Sequence, residues 1–389
     1  LGGLPQVAGI LHDLRAKNPV VFIDTGDTYF PSNNIPKSLE KSLLHTASNL
    51  HTALQDLKLD FYLLGEQDFS AGLEWVKQKN KENKAQLLLS NLKKESGLNF
   101  KTWSKIVIGP HQIYFAGILD PELLEFEHRS LLTEPQAALK QVLSAIRSDG
   151  FKEGDPFHRL ILLSHSGMDY DKKLAAEMPV FDWIFGSHSQ NFTQSSIDVG
   201  NTKIVQVLSR NHYLGHLKVN LEGDKSKDSF ELLEASDEKK DLLKPNPFIE
   251  FIDRHKSELS KIQDQEAQGM TSFQNTKELK VPTFGSCIEC HDAQTKKWQS
   301  TAHSLAYTTL LKANEANNPS CIGCHSVGFG KKEGFSNAKE MVEFHKSVPQ
   351  EKIKEHYESY LKDFSQSFSS VGSLRKLSSK ELYKHSQEQ

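Results

Sequence analysis

Apolar positions along the chain follow two periods. Leu4, Val7, Ala8, Leu11 and Leu14 recur every three or four residues, which predicts a helix over 4–17. Val20-Val21-Phe22-Ile23 is a short unbroken apolar run, as expected of a buried strand, and it ends in Asp24-Thr25-Gly26-Asp27. A helical stretch over about 36–57 follows. A second buried strand, Phe61-Tyr62-Leu63-Leu64, then runs into Gly65-Glu66-Gln67-Asp68-Phe69. Further strands are expected at 86–89, 105–108, 113–119, 160–163, 183–185, 204–208 and 213–220, with helices near 70–79, 135–148 and 170–177. Buried strands alternating with helices predict an α/β layered domain over 1–222.

The balance of 47 Lys+Arg against 50 Asp+Glu gives a formal net charge of −3, so nothing in the composition points to a nucleic-acid surface. The 37% of hydrophobic residues can supply a core, yet no apolar run reaches the length of a membrane helix. Residues 223–247 are rich in Lys, Asp and Glu and read as a charged linker. Pro245-Asn246-Pro247 then opens a helix to about 268, with Phe248, Ile252, Leu259 and Ile262 as its apolar stripe. Linker and helix together are assigned to 223–280. The stripe is expected to be ordinary packing.

In α/β sheets, functional groups collect at the carboxyl ends of strands. Four such ends carry metal-type donors: Asp27, Glu66, His165 in Leu163-Ser164-His165-Ser166-Gly167, and His188 in Phe185-Gly186-Ser187-His188-Ser189-Gln190. Carboxylates and imidazoles on short loops suit Zn, Mn or Fe. A single His of this kind is commonly structural; four donors at equivalent strand ends suggest one divalent-metal site.

On these residues the chain resembles the calcineurin-like metallophosphoesterases, in their 5′-nucleotidase branch. Gly26-Asp27 is similar to the family's Gly-Asp, whose Asp bridges two metals. His165 and His188 take two later metal positions, and Leu89-Ser90-Asn91-Leu92 also resembles that branch. The resemblance implies an αββα sandwich over 1–222 with its first strand missing, since the chain starts after the family's Asp-x-His strand. It departs from the family at Gly65-Glu66-Gln67-Asp68, where Asn and His are expected. Glu66 replaces a neutral ligand, and Gln67 replaces the His that protonates the leaving group; Gln cannot be a general acid. Gln190 stands in place of a last imidazole. These changes imply an inactive hydrolase domain.

Residues 281–389 carry a different chemistry. Cys287-Ile288-Glu289-Cys290-His291 and Cys321-Ile322-Gly323-Cys324-His325 are two Cys-x-x-Cys-His motifs, and they use all 4 Cys of the chain. Two thiols at this spacing can add to the two vinyl groups of one porphyrin, and the adjacent His then reaches the iron. A four-cysteine zinc site or a redox CxxC pair are the alternatives, but neither needs a His after each pair. Around these motifs, with Trp298-Gln299-Ser300-Thr301-Ala302-His303-Ser304-Leu305-Ala306 and Ser326-Val327-Gly328-Phe329-Gly330, the chain resembles multihaem cytochromes c related to those of bacterial ammonia oxidation. The resemblance implies that His303, on a helix through Trp298 and Leu311, is a distal haem ligand. Met341, His345, His356 and His385 remain candidates for the second distal position.

The expectation is therefore a mainly helical dihaem cytochrome c domain joined to a metallophosphoesterase-like scaffold or docking module. The cofactors would be two covalent haems c and at most one divalent metal (Zn, Mn or Fe), with a redox protein as partner. Two other readings stay open: a metal-dependent phosphoester hydrolase of the 5′-nucleotidase class with accessory haems, and a haem-based sensor. Covalent haem attachment occurs outside the bacterial cytoplasm, so a periplasmic or cell-surface location and a signal sequence upstream of Leu1 are expected.

Overall fold

The structure is a computed structural model, and it describes residues 3–208, 212–269, 290–313, 315, 318–329 and 378–382. Its contacts divide the chain into two compact units, Leu1–Pro36 with Leu43–Ile252, and Lys37–Ser42 with Asp253–Gln389.

The core of the first unit is built on two sheets. The smaller has β1 (Ile23–Asp24), β2 (Phe61–Tyr62) and β3 (Gln86–Leu87), all parallel, with Ile23 opposite Phe61 and Phe61 opposite Gln86. The larger has β4 (Trp103–Ile108), β5 (His111–Leu119), β6 (His158–His165), β7 (Trp183–Gly186), β8 (Ile197–Val199) and β9 (Thr202–Gln206), in the order β4-β5-β6-β7-β9-β8. Its central strands β5, β6, β7 and β9 are parallel, and the outer two, β4 and β8, run antiparallel to their neighbours.

Every residue of β6 is buried, as befits a central strand covered on both faces. Period-two alternation then assigns its side chains to two cores. Ile161 and Leu163, with Ile113 and Phe115 of β5, meet Phe61 and Leu87 of the small sheet and Leu63 and Leu89 just beyond its strands. Leu160 and Leu162, with Tyr114, Ala116 and Ile118, face Leu139, Val142, Leu143 and Ile146 on the opposite side. The result is the mixed α/β sandwich expected from the sequence, two sheets with helices outside.

Helices α1 (Leu4–Arg15), α2 (Glu40–Asp56), α3 (Leu73–Glu82), α4 (Phe126–Arg129), α5 (Pro135–Ser148) and α6 (Met168–Glu177) connect the strands. The first strands are shorter than their apolar runs suggest. Residues 63–64 remain buried but already turn into the loop that carries Glu66.

The charged segment after residue 222 is not bare linker. β10 (Tyr213–Lys218) pairs antiparallel with β11 (Ser229–Glu234), Tyr213 opposite Glu234. Asp228 lies buried against the equally buried Arg159, with Nε to Oδ2 at 2.5 Å. Helix α7 (Pro247–Gly269) begins with Phe248 packed on Leu4, Val7, Leu11 and Leu57. Apart from Asp228, the charges lie toward the surface of a folded segment, which is why composition alone reads as a boundary.

Beyond the part of α7 that the second unit includes, its described residues form short helices: α8 (Asp292–Gln299), a 3-10 turn at Ala302–Leu305, α9 (Ala306–Ala313) and α10 (Pro319–His325). The single helix expected through Trp298 and Leu311 is broken. Thr301 takes extended backbone, with φ −115 and ψ 157, and its hydroxyl bonds back to the Trp298 carbonyl at 2.6 Å. Side-chain bonding to the local backbone competes with helix continuation. Leu310 and Ile322 form a small apolar centre with Tyr307, Cys321 and Phe329.

Candidate functional site

Asp27, Glu66 and His188 follow the carboxyl ends of β1, β2 and β7, His165 is the last residue of β6, and the sandwich brings them together. One ligand atom from each lies within 4.8 Å of the others. His165 Nε2 is 2.8 Å from Glu66 Oε2 and 3.4 Å from Asp27 Oδ2, and His188 Nδ1 is 2.9 Å from Glu66 Oε1. The loops hold this convergence with strained backbone. Asp27 (φ 58) and His188 (φ 73) both take the left-handed region, which non-glycine residues seldom adopt without a functional or structural reason. Gly26 and Gly65 have no room for a side chain: a Cβ on Gly65 would overlap the Asp27 carboxylate, and one on Gly26 would meet His165 Nδ1 at 2.8 Å.

The chemistry of this donor set fits a cation. His165 Nδ1 lies 2.7 Å from the Thr25 carbonyl, so that nitrogen carries the hydrogen. Nε2 is then left facing two carboxylates, an arrangement that needs either a proton or a positive ion between them. With protons alone, burial pulls the imidazole pKa down, but the bonds to Asp27 and Glu66 outweigh it and hold it up at about 10. Burial likewise pushes Glu66 up, and the bond to His165 outweighs that, bringing it to about 2. The same buried lone pairs can instead hold one divalent ion.

Several supporting residues could not be read from periodicity. Asp68 is fully enclosed, and its carboxylate accepts from the backbone N–H groups of Asp27, Thr28, Tyr29 and Gly65, tying the two donor loops together. Burial and the nearby Asp27 carboxylate raise its pKa to about 7. Ser187 Oγ lies 2.7 Å from the Thr25 carbonyl and 2.9 Å from His165 Nδ1, bracing the imidazole. Gln206 Oε1 accepts from Ser189 Oγ and from Asn191 N–H at 2.7 Å, which fixes the His188 loop. Asn91 bonds to Leu119 and Thr133 backbone instead of facing the donors. Gln67 offers its backbone N–H to Asp27 Oδ1 at 2.8 Å. The shared signal of these residues is a polar side chain inside or just after a buried run.

In the second unit, α10 carries Cys321, Cys324 and His325 in succession, so the two thiols sit one helical turn apart on one face. Both are free; Cys321 is half-buried and Cys324 exposed. Burial pushes the Cys321 thiol pKa up. His325 Nδ1 lies 2.8 Å from the Ala306 carbonyl. A carbonyl can only accept, so Nδ1 bears the hydrogen and Nε2 keeps the lone pair that an iron requires. This half fits a covalent haem. Of the first motif, Cys290 and His291 are exposed at the start of α8, and Cys287 lies outside the described residues. His303 is exposed in the 3-10 turn and lines an open groove of ≈ 510 Å³ with Gln294, Lys297, Trp298 and Thr301. Met341, His345, His356 and His385 lie outside the described residues.

Fold and motifs thus define a metallophosphoesterase-like α/β domain joined in one chain to a segment that resembles c-type cytochromes. Comparison with known proteins finds relatives of both kinds. Residues 286–348 match the family described as Cytochrome c554 and c-prime. Cytochrome c-554 of Nitrosomonas europaea is 34% identical over 65 residues, 13% of this chain and 28% of that protein. The bovine 5′-nucleotidase is 23% identical over 255 residues, 56% of this chain and 41% of that enzyme. Among solved structures, the sulfate thiohydrolase SoxB of Thermus thermophilus aligns with a TM-score of 0.54 at 20% identity, covering 66% of this chain and 47% of the other. A 5′-nucleotidase precursor from the same species aligns at 0.52 and 17%, over 66% and 53%. The chain therefore spans about half the length or less of these relatives, and the structural likeness establishes the fold.

Proposed function

We propose that the protein is an exported dihaem c-type cytochrome that transfers electrons, with its metallophosphoesterase-like domain serving as scaffold or docking module for a redox partner. The observation that carries this reading is the Cys321-Cys324-His325 helix with Nδ1 of His325 set on the Ala306 carbonyl. Bound haem supplies one-electron Fe(III)/Fe(II) cycling. The chain's own part is to anchor the porphyrin through the two thiols and to present Nε2 of His325 in a fixed orientation. Cys287, Cys290 and His291 would do the same for the second haem, and His303 would take one distal position. Among the described residues no helix is long and apolar enough to cross a membrane. The test is a redox titration of the full-length, matured protein. Reversible, CO-insensitive low-spin spectra support electron transfer; strong CO binding by the untreated ferrous protein favours a sensor.

A second reading rests on the four-donor cluster of Asp27, Glu66, His165 and His188. These residues could hold one Zn, Mn or Fe ion, which would supply Lewis-acid or structural charge to the first unit. In the hydrolytic form of this reading, a phosphoester is the substrate. A metal-dependent assay with a chromogenic phosphoester tests it. Gln67 argues against efficient turnover, because it offers no proton to a leaving oxygen.

A further inference from the structure

The carbonyl oxygen of Ala306 serves two side chains. His325 Nδ1 lies 2.8 Å from it and Thr309 Oγ1 donates to it over 2.6 Å. Thr309 Oγ1 stands 3.4 Å from His325 Nδ1, so hydroxyl and imidazole are neighbours on one acceptor. Residues 306, 309 and 325 are all half-buried, where a hydrogen bond is less diluted by water than at the surface. Helix α9 thereby supplies both the group that orients the α10 imidazole and the group that competes with it.

We propose that Thr309 is a positioning residue that sets the reduction potential of the haem borne by Cys321 and Cys324. The inference rests on the haem reading of that motif. The physical link is the basicity of the ligand. A strong Nδ1–H bond makes an imidazole more electron-rich and a better ligand for Fe(III), which lowers the potential. A carbonyl that already accepts a short bond from Thr309 is a poorer acceptor for His325. Thr309 therefore holds the potential up. An ordinary helix hydroxyl bonding its i−3 carbonyl would contribute to packing alone and leave the potential where it is.

The test uses full-length, matured protein with Thr309→Val, which keeps the shape and removes the hydroxyl, and Thr309→Ser, which keeps the hydroxyl. Thr309→Ala serves in place of the Val variant should that one not load haem. Haem content is read from the pyridine haemochrome, and midpoints from a spectroelectrochemical titration. The expected result is unchanged haem content with one of the two midpoints moved negative. At the wild-type midpoint, the reduced-to-oxidised ratio of that haem should fall by about threefold or more, the worth of part of a hydrogen bond. Thr309→Ser should match the wild type. Unchanged or raised midpoints in a fully loaded hydroxyl-free variant overturn the inference. A wild type without haem on Cys321 and Cys324 overturns the underlying reading instead.

Discussion

Glu66 Oε2 stands 2.8 Å from His165 Nε2, and the other oxygen of the same carboxylate stands 2.9 Å from His188 Nδ1. One side chain thus joins the imidazoles of two loops. A single metal held here would depend on Glu66 more than on a neutral amide. Glu66→Gln should weaken Zn or Mn binding by at least about tenfold, read by calorimetry on the full-length protein. Equal affinity in the variant would place the metal elsewhere or nowhere.

The metallophosphoesterase-like domain should be a poor hydrolase. General acid–base help is typically worth about 10²–10⁴-fold, and Gln67 cannot give it. Glu66→Asn combined with Gln67→His, in the full-length protein with added Mn or Zn, should raise phosphoester hydrolysis above the wild type. Robust metal-dependent turnover by the unaltered protein, abolished by Asp27→Ala, would show instead that the domain works as it stands.

Asp171 predicts a pH dependence of stability. Its side chain is fully buried; Oδ1 accepts from Ser166 Oγ at 2.9 Å, whereas Oδ2 has no hydrogen-bond partner. Burial raises its pKa from 3.8 to about 7, against the opposing effect of the nearby Ser164 and Ser166 hydroxyls and the charge of His165. Between those values the folded chain holds a proton that the unfolded chain has lost, so stability falls as pH rises from 4 to 7. The limiting slope for one proton is about 1.4 kcal/mol per pH unit. Asp171→Asn should flatten the urea-midpoint profile over that window. Asp68, also raised to about 7, will keep part of the slope. A profile identical to wild type would mean that Asp171 is ionised in the folded protein.

His303 carries the distal-ligand prediction. His303→Ala should keep both covalent haems, because attachment needs only the Cys pairs, and should turn one haem high-spin and CO-reactive when reduced. An unchanged low-spin spectrum would move that role to another residue.

The four clustered donors were legible because each closes a buried apolar run, and runs of that kind end at one edge of a parallel sheet. Asp68, Gln206 and the Arg159–Asp228 pair were not. Their roles depend on which backbone groups fold over them, and no local period records that. Asp228 was hidden for a further reason: it lies in a run of exposed charges, where a buried one looks the same in sequence. In the segment of the two Cys-x-x-Cys-His motifs, the motifs stand out in the sequence, but the break at Ser300 and Thr301 does not. Apolar spacing runs through it, and the side-chain-to-backbone bond that ends the helix is decided by two hydroxyls.

Haem attachment at both Cys-x-x-Cys-His motifs can be tested by counting haem. Protein matured with its export and attachment machinery should give two haems per chain by pyridine haemochrome, resistant to acid-acetone extraction. Cys324→Ala should lower the count to about half, since one porphyrin loses a thioether beside its ligand. A chain that instead carries zinc on its four cysteines and no haem would rule out a cytochrome.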